Sequence, residues 1–190
     1  MDLDKSLNLY REKLICAEKS VDLKSVLGAV NIIKQGIERD ATVFIAGNGG
    51  SASTASHFAV DLGVGSLKYG LRVKVYSLME NSAAITATAN DFEFQEIVTK
   101  QLSHLASRDD ILIVISASGN SINLTNAVHL ANNLGVYTIS FTGFNGGLLQ
   151  ELAQHNVHVS TEVGEYGIVE DIHLSICHRI TEILRMMGEE

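Results

Sequence analysis

The residues of this 190-residue chain whose types and spacing could do chemistry lie in two glycine- and serine-rich turns and in a set of histidines and carboxylates at helical spacing. The first turn, Gly47-Asn48-Gly49-Gly50-Ser51, lies between an apolar run and a helical pattern. Glycines there let backbone approach a ligand closely, and a helix start offers unpaired N–H groups at the positive end of its dipole. The second turn, Ser116-Ala117-Ser118-Gly119-Asn120-Ser121, adds three hydroxyls in a similar setting. Neither is a Walker loop, since G-x-x-x-x-G-K-S/T is absent, and GNGGSA does not complete G-x-G-x-x-G. Serine-rich turns without lysine or arginine point to a single phosphate held by neutral donors, as in a sugar monophosphate. Asn48, Gly49, Gly50, Ser51, Ser116, Ser118 and Ser121 are the candidate binding residues. Either turn alone is also ordinary strand-end punctuation; together, at neighbouring strand ends, they indicate a pocket.

The second constellation requires helices. His57 and Asp61 are four residues apart and project from one helix face. Glu170, Asp171, His173 and His178 crowd into nine residues near the C-terminus. At about 100° per residue, Glu170 lies roughly 80° from His178 and roughly 60° from His173, so either pair could face one pocket. Two imidazoles with two carboxylates suit a divalent ion such as zinc, or a set of general acids and bases. A solvated charged helix face is the competing reading of the C-terminal cluster taken alone. His104, His129, His155 and His158 lack such company and read as structural or surface residues, and Cys16 and Cys177 as small core hydrophobes.

The elements that must position these residues follow from periodicity. Short apolar runs at 42–46, 73–78, 111–115, 136–141 and 157–160 read as strands, each followed by small residues and a helical pattern. The run Ile-Leu-Ile-Val-Ile at 111–115 has no polar alternation, as a central strand covered on both faces requires. Helices are expected at 52–64, 82–89, 92–106, 121–134, 148–155 and 168–187, after two helices or one bent helix over 5–38. The result is an α/β protein, a three-layer αβα sandwich on a five-stranded parallel sheet. Its length fits one domain, 1–190, with residues 1–40 a helical extension whose apolar positions exceed the needs of a lone surface helix and point to a partner subunit.

Composition narrows the class of function. Apolar residues make up 46% and charged residues 19%, a globular balance, and 14 basic against 22 acidic residues give a net charge of −8. That charge argues against nucleic acid and against an anionic membrane, both of which call for a basic stripe. Two distant cysteines, no signal-peptide core and no apolar run of membrane length make a soluble cytoplasmic protein the expectation. Proline is absent, so glycine, asparagine and serine supply the punctuation.

Taken together, FIAGNGGSASTASHFAVDL (44–62), ATANDFEF (87–94), VISASGNS (114–121), ISFTGFNGG (139–147) and YGIVEDIHLSICHRI (166–180) resemble the sugar isomerase (SIS) domain family. Within it they are most similar to the phosphoheptose isomerases, which interconvert sedoheptulose 7-phosphate and an aldoheptose 7-phosphate. The resemblance implies a flavodoxin-like sheet and a phosphate held by Ser51, Ser116, Ser118 and Ser121. It also implies Asn90 and Asp91 near the sugar, zinc on His57, Asp61, Glu170 and His178, acid–base roles for Asp61 and His178, and a homotetramer with sites between subunits. Three residues depart from the family pattern: Asp61 replaces the usual glutamate, Glu170 the usual glutamine, and Ala117 the usual threonine.

The expected chemistry is aldose–ketose isomerisation through an enediol. His178 and a carboxylate, Asp61 or Glu170, exchange the proton, and the serines anchor the phosphate. In a second reading Glu170 alone is the base and Asp61 only a ligand. Isomerisation of another sugar phosphate in polysaccharide or secondary metabolism, and a non-catalytic SIS protein that binds a phosphosugar or the replication initiator, are the alternatives.

Overall fold

The computed structural model describes residues 2–188. Five strands, β1 (Thr42–Gly47), β2 (Lys74–Ser77), β3 (Ile111–Ser116), β4 (Tyr137–Thr142) and β5 (His155–His158), form a parallel sheet in the order β2-β1-β3-β4-β5. The helices are α1 (Leu3–Ser20), α2 (Leu23–Glu38), α3 (Gly50–Leu62), α4 (Val64–Leu67), α5 (Ser82–Asp91), α6 (Ile97–Leu105), α7 (Ile122–Leu134), α8 (Gly147–Leu152) and α9 (Tyr166–Gly188).

Alternation at period two sorts the strand side chains between two cores. Val43 and Ile45 of β1, with Ile111, Ile113 and Ile115 of β3, join Ile139 and Phe141 beneath α2, α3 and α9. Phe44, Ala46, Leu112 and Val114 face the opposite side and pack with α6, α7 and Leu149 of α8. This is the three-layer αβα sandwich expected from the sequence, with β3 buried along its whole length.

Several boundaries differ from the sequence expectation. Residues 5–38 are two helices, because Val21 turns extended and Asp22 caps the start of α2. The glycine turn opens α3 two residues early, at Gly50, and the chain breaks at Gly63 before the short α4. The helix expected over 92–106 begins as a single 3-10 turn, Phe94–Glu96, and becomes α-helical only at Ile97. β5 lies two residues earlier than expected, because its register to β4 pairs Ile139 with His155 and spends polar residues inside the sheet. Cys177 is buried, but Cys16 is exposed, since α1 lies on the outside of α9 and buries only Ala17.

His173 of α9 enters the core. It is fully buried, its Nε2–H donates to the Thr142 carbonyl at 3.2 Å, and its Nδ1 has no partner. Burial lowers its pKa to about 4, the nearby His158 imidazole adding to the shift. The unfolded ring titrates near 6.5, so between these values the unfolded chain binds a proton that the folded chain refuses. Stability is therefore expected to fall as pH drops from about 6.5 to about 4, by roughly 3 kcal/mol from this ring. Urea unfolding from pH 7 to 4.5 should show a shallower decline for His173→Asn than for the wild type.

Candidate active site

The strand order reverses between β1 and β3, and in open α/β sheets ligands occupy the crevice beyond the carboxyl ends of the strands at that point. A cavity lies there. Its walls are Asn48 and Ser51 from the turn after β1, Ser116, Ala117, Ser118 and Ser121 from the turn after β3, and Tyr166 and Glu170 from α9. The two helices that open at these turns, α3 and α7, have no side-chain cap. By contrast, Asp2, Asp22 and Asn81 cap α1, α2 and α5. Two uncapped helix starts and a ring of hydroxyls supply donors without formal charge, the chemistry of a compact anion site.

The two turns are tied together. Asn48 Nδ2 donates to Asn123 Oδ1 at 2.9 Å, and Asn123 Nδ2 donates back to Asn48 Oδ1 at 2.9 Å. Asn48 is thus occupied largely in bracing its turn, and Asn123, buried in the first turn of α7, is a site residue that the sequence reading missed. The turn after β4 braces the serine turn from outside: a Cβ at Gly119, φ +65°, would overlap the Gly146 carbonyl. Leu149 N–H also donates to the Gly119 carbonyl at 2.9 Å. Phe144 of the same turn meets Tyr166, which lines the cavity, edge-on at 4.9 Å.

The crowded residues of α9 separate into four environments. Glu170 faces the cavity, and its carboxylate presses on Gly50, where a Cβ would overlap it. Asp171 faces α1, accepting from Tyr10 Oη at 2.8 Å. His173 is in the core, so it is not the pocket partner of Glu170. His178 reaches α3, its Nε2 3.0 Å from His57 Nε2. Burial, then the Asp171 charge, raises the Glu170 pKa above the ordinary carboxylate value.

The helices α3 and α9 run in the same direction side by side: Gly50 lies against Glu170, His57 against His178, and Asp61 against Arg185. The cavity sits at their N-termini, and the second group lies about two turns further along, roughly 10 Å at 1.5 Å per residue. Asp61 Oδ2 is 3.3 Å from His57 Nε2 and 3.8 Å from His178 Nε2. Ligand atoms of His57, Asp61 and His178 all lie within 4.8 Å of one another, so among the described residues they form a group able to hold a metal ion. Glu170, expected as a fourth ligand, is not in this group: its carboxylate is drawn to the start of α3 instead. Asn90 and Asp91 also stand apart. They lie at the end of α5, which buries no residue, and Asn90 Nδ2 donates to Asp91 Oδ1 at 2.9 Å.

Residues 13–143 match the SIS domain family. The chain belongs to that family. Among its relatives, a probable phosphoheptose isomerase of Thermoplasma acidophilum is 30% identical over 92% of this chain and 95% of its own length. The phosphoheptose isomerase of Crocosphaera subtropica is 34% identical over 90% of this chain and 88% of its own. The solved structure of a Francisella tularensis phosphoheptose isomerase superposes with a TM-score of 0.86 at 26% identity, over 98% of this chain and 99% of that one. The SIS match ends before α9, so Glu170 and His178 lie outside it.

Removing the amide brace should be felt at the pocket. Asn123→Ala removes both hydrogen bonds to the half-buried Asn48 amide, a loss of roughly 1 kcal/mol. The variant should melt lower and bind inorganic phosphate more weakly by calorimetry than the wild type.

Proposed function

We propose that this SIS-domain protein is a phosphoheptose isomerase, interconverting sedoheptulose 7-phosphate and D-glycero-D-manno-heptose 7-phosphate by proton transfer through an enediol. One observation carries this reading: a cavity ringed by serine hydroxyls and helix starts, and a His-Asp-His group, lie two turns apart along the same pair of helices. A sugar with its phosphate at one end and its carbonyl at the other matches that arrangement. Its phosphate accepts hydrogen bonds from Ser51, Ser116, Ser118 and Ser121 and from the uncapped starts of α3 and α7. Binding energy spent there orients the distant reacting carbons.

The metal implied by the family fits the donors. Two imidazole Nε2 atoms and one carboxylate oxygen converge from three side chains, which is the ligand number of a catalytic zinc site with an open position. His57, Asp61 and His178 would hold the ion, which would supply Lewis-acid polarisation of the carbonyl and neighbouring hydroxyl oxygens. Asp61 Oδ2 then faces the imidazoles, while Oδ1, 3.8 Å from Arg185 Nη2, accepts no hydrogen bond from it. Glu170, which is not among the metal-holding residues, is then the carboxylate assigned to take the proton from the carbon beside the carbonyl and return it to its neighbour, with Asp61 Oδ1 the alternative. The raised pKa of Glu170 is in the direction such a base needs to exchange protons near neutrality.

Assembly completes the proposal. Leu3, Leu7, Leu9, Tyr10 and Ile15 of α1 are exposed, and α5, which carries Asn90 and Asp91, meets its own core only through the half-buried Ile85. Both features support a homotetramer in which neighbouring copies cover α1 and bring Asn90 and Asp91 toward the sugar. Light scattering should give four times the chain mass; a monomer would contradict it. Among the described residues, no helix is long and apolar enough to cross a membrane.

The decisive measurement compares three proteins on sedoheptulose 7-phosphate, with zinc content determined for each. Glu170→Gln should lose roughly 10²- to 10⁴-fold in kcat while keeping its zinc, and should lose the acid limb of the pH profile. Asp61→Asn should lose zinc as well as activity. Full activity in Glu170→Gln would move the base to Asp61, and no aldose product from the zinc-loaded wild type would refute the isomerase.

A further inference from the structure

Arg185, on the last turns of α9, is used neither by the cavity nor by the mechanism. It lies seven residues beyond His178, which returns it to within about 20° of the same helix face. Its side chain is only 19% exposed. Nη2 donates to the Asp61 carbonyl at 3.1 Å and lies 3.8 Å from Asp61 Oδ1. That carbonyl is in the final turn of α3, where helix carbonyls lack an intrahelical partner, and the buried Ser66 Oγ donates to it as well, at 3.1 Å. The guanidinium lies 5.4 Å from the Tyr69 ring centre, and Gly65 makes room for it: a Cβ there would overlap Nη2. Arg185 Nε is buried without a partner. The fold thus leaves one buried donor unpaired while the end of the side chain is directed at Asp61.

We propose that Arg185 is the positioning residue of the His57-Asp61-His178 group. By donating to the backbone carbonyl of Asp61 and holding its charge 3.8 Å from Oδ1, it draws Oδ1 away from the imidazoles so that Oδ2 points between them. The proposal rests on the metal-holding role of that group. It also assigns a purpose to Gly65, Ser66 and Tyr69: they form the socket that keeps the guanidinium in place.

Two variants test it on the zinc-loaded, full-length protein. Arg185→Met removes the guanidinium. Gly65→Ala leaves Arg185 and Asp61 intact but puts a methyl group where Nη2 sits, displacing only the flexible end of the arginine. Zinc affinity is read by competition with a chromophoric chelator, alongside thermal melting and steady-state kinetics. Both variants should bind zinc roughly 10- to 100-fold more weakly, the usual effect of losing a group that orients a metal ligand. Their kcat should fall with little change in KM, because the serine pocket lies two turns away. Zinc affinity in Gly65→Ala equal to that of the wild type, with a normal melting point, would overturn the proposal even if Arg185→Met failed to fold. A wild type that binds no zinc would overturn both the metal reading and this one, whereas zinc binding unaffected by either variant would overturn this one alone.

Discussion

The parallel packing of α3 against α9 is the constraint on which the candidate chemistry depends. Both helices start at the carboxyl edge of the sheet, so their N-termini bound the same crevice and His57 of α3 meets His178 of α9 further along. Small residues make the approach possible: Gly50 admits Glu170 at one end, and Gly65, just past α3, admits Arg185 at the other. Between these contacts, Ala55, Phe58, Ala59 and Leu62 of α3 and Ile176, Cys177, Ile180 and Leu184 of α9 share one buried cluster with the sheet. Loosening this interface would part His178 of α9 from His57 and Asp61 of α3 and so break up the His-Asp-His group.

The acidic net charge and the anion-binding cavity are compatible because they operate on different scales. A charge of −8 spread over the surface is screened within about 10 Å at ordinary ionic strength. Inside the cavity, local dipoles dominate. The starts of α3 and α7 carry no side-chain cap, unlike those of α1, α2 and α5, so their N–H groups stay available for a ligand. Glu170 is the one acid in that wall, and its desolvation lowers the tendency to carry a competing charge there.

Sequence pattern made the sheet and the serine turns legible because both are encoded locally. The Ile111–Ser116 run has no polar residue until its end, and a glycine-serine turn announces a helix start on its own. What could not be read is what depends on the rotation of one helix against another. Glu170, Asp171, His173 and His178 have similar chemistry in sequence, yet a spread of angles around α9 sends them to the cavity, to α1, to the core and to α3. Asn123 and Arg185 were invisible for the same reason: an asparagine in a first turn and an arginine in a last turn look like ordinary helix residues until their distant partners are known. β5 was misplaced because its inward polar residues find partners across strands, Asn156 Nδ2 bonding Ser140 Oγ at 2.8 Å and Thr142 Oγ1 at 2.9 Å.

That division of labour on α9 also limits how the sequence can drift. One helix face serves the cavity, a second the neighbouring helix, a third the hydrophobic core and a fourth the amino-terminal segment, all within a little more than two turns. Single substitutions disturb one of these roles at a time. A one-residue insertion or deletion between Glu170 and His178 would rotate everything downstream by about 100° and misdirect His178 and Arg185 together. Length variation in related chains should therefore concentrate in the turns on either side of this helix, while its interior changes only by replacement.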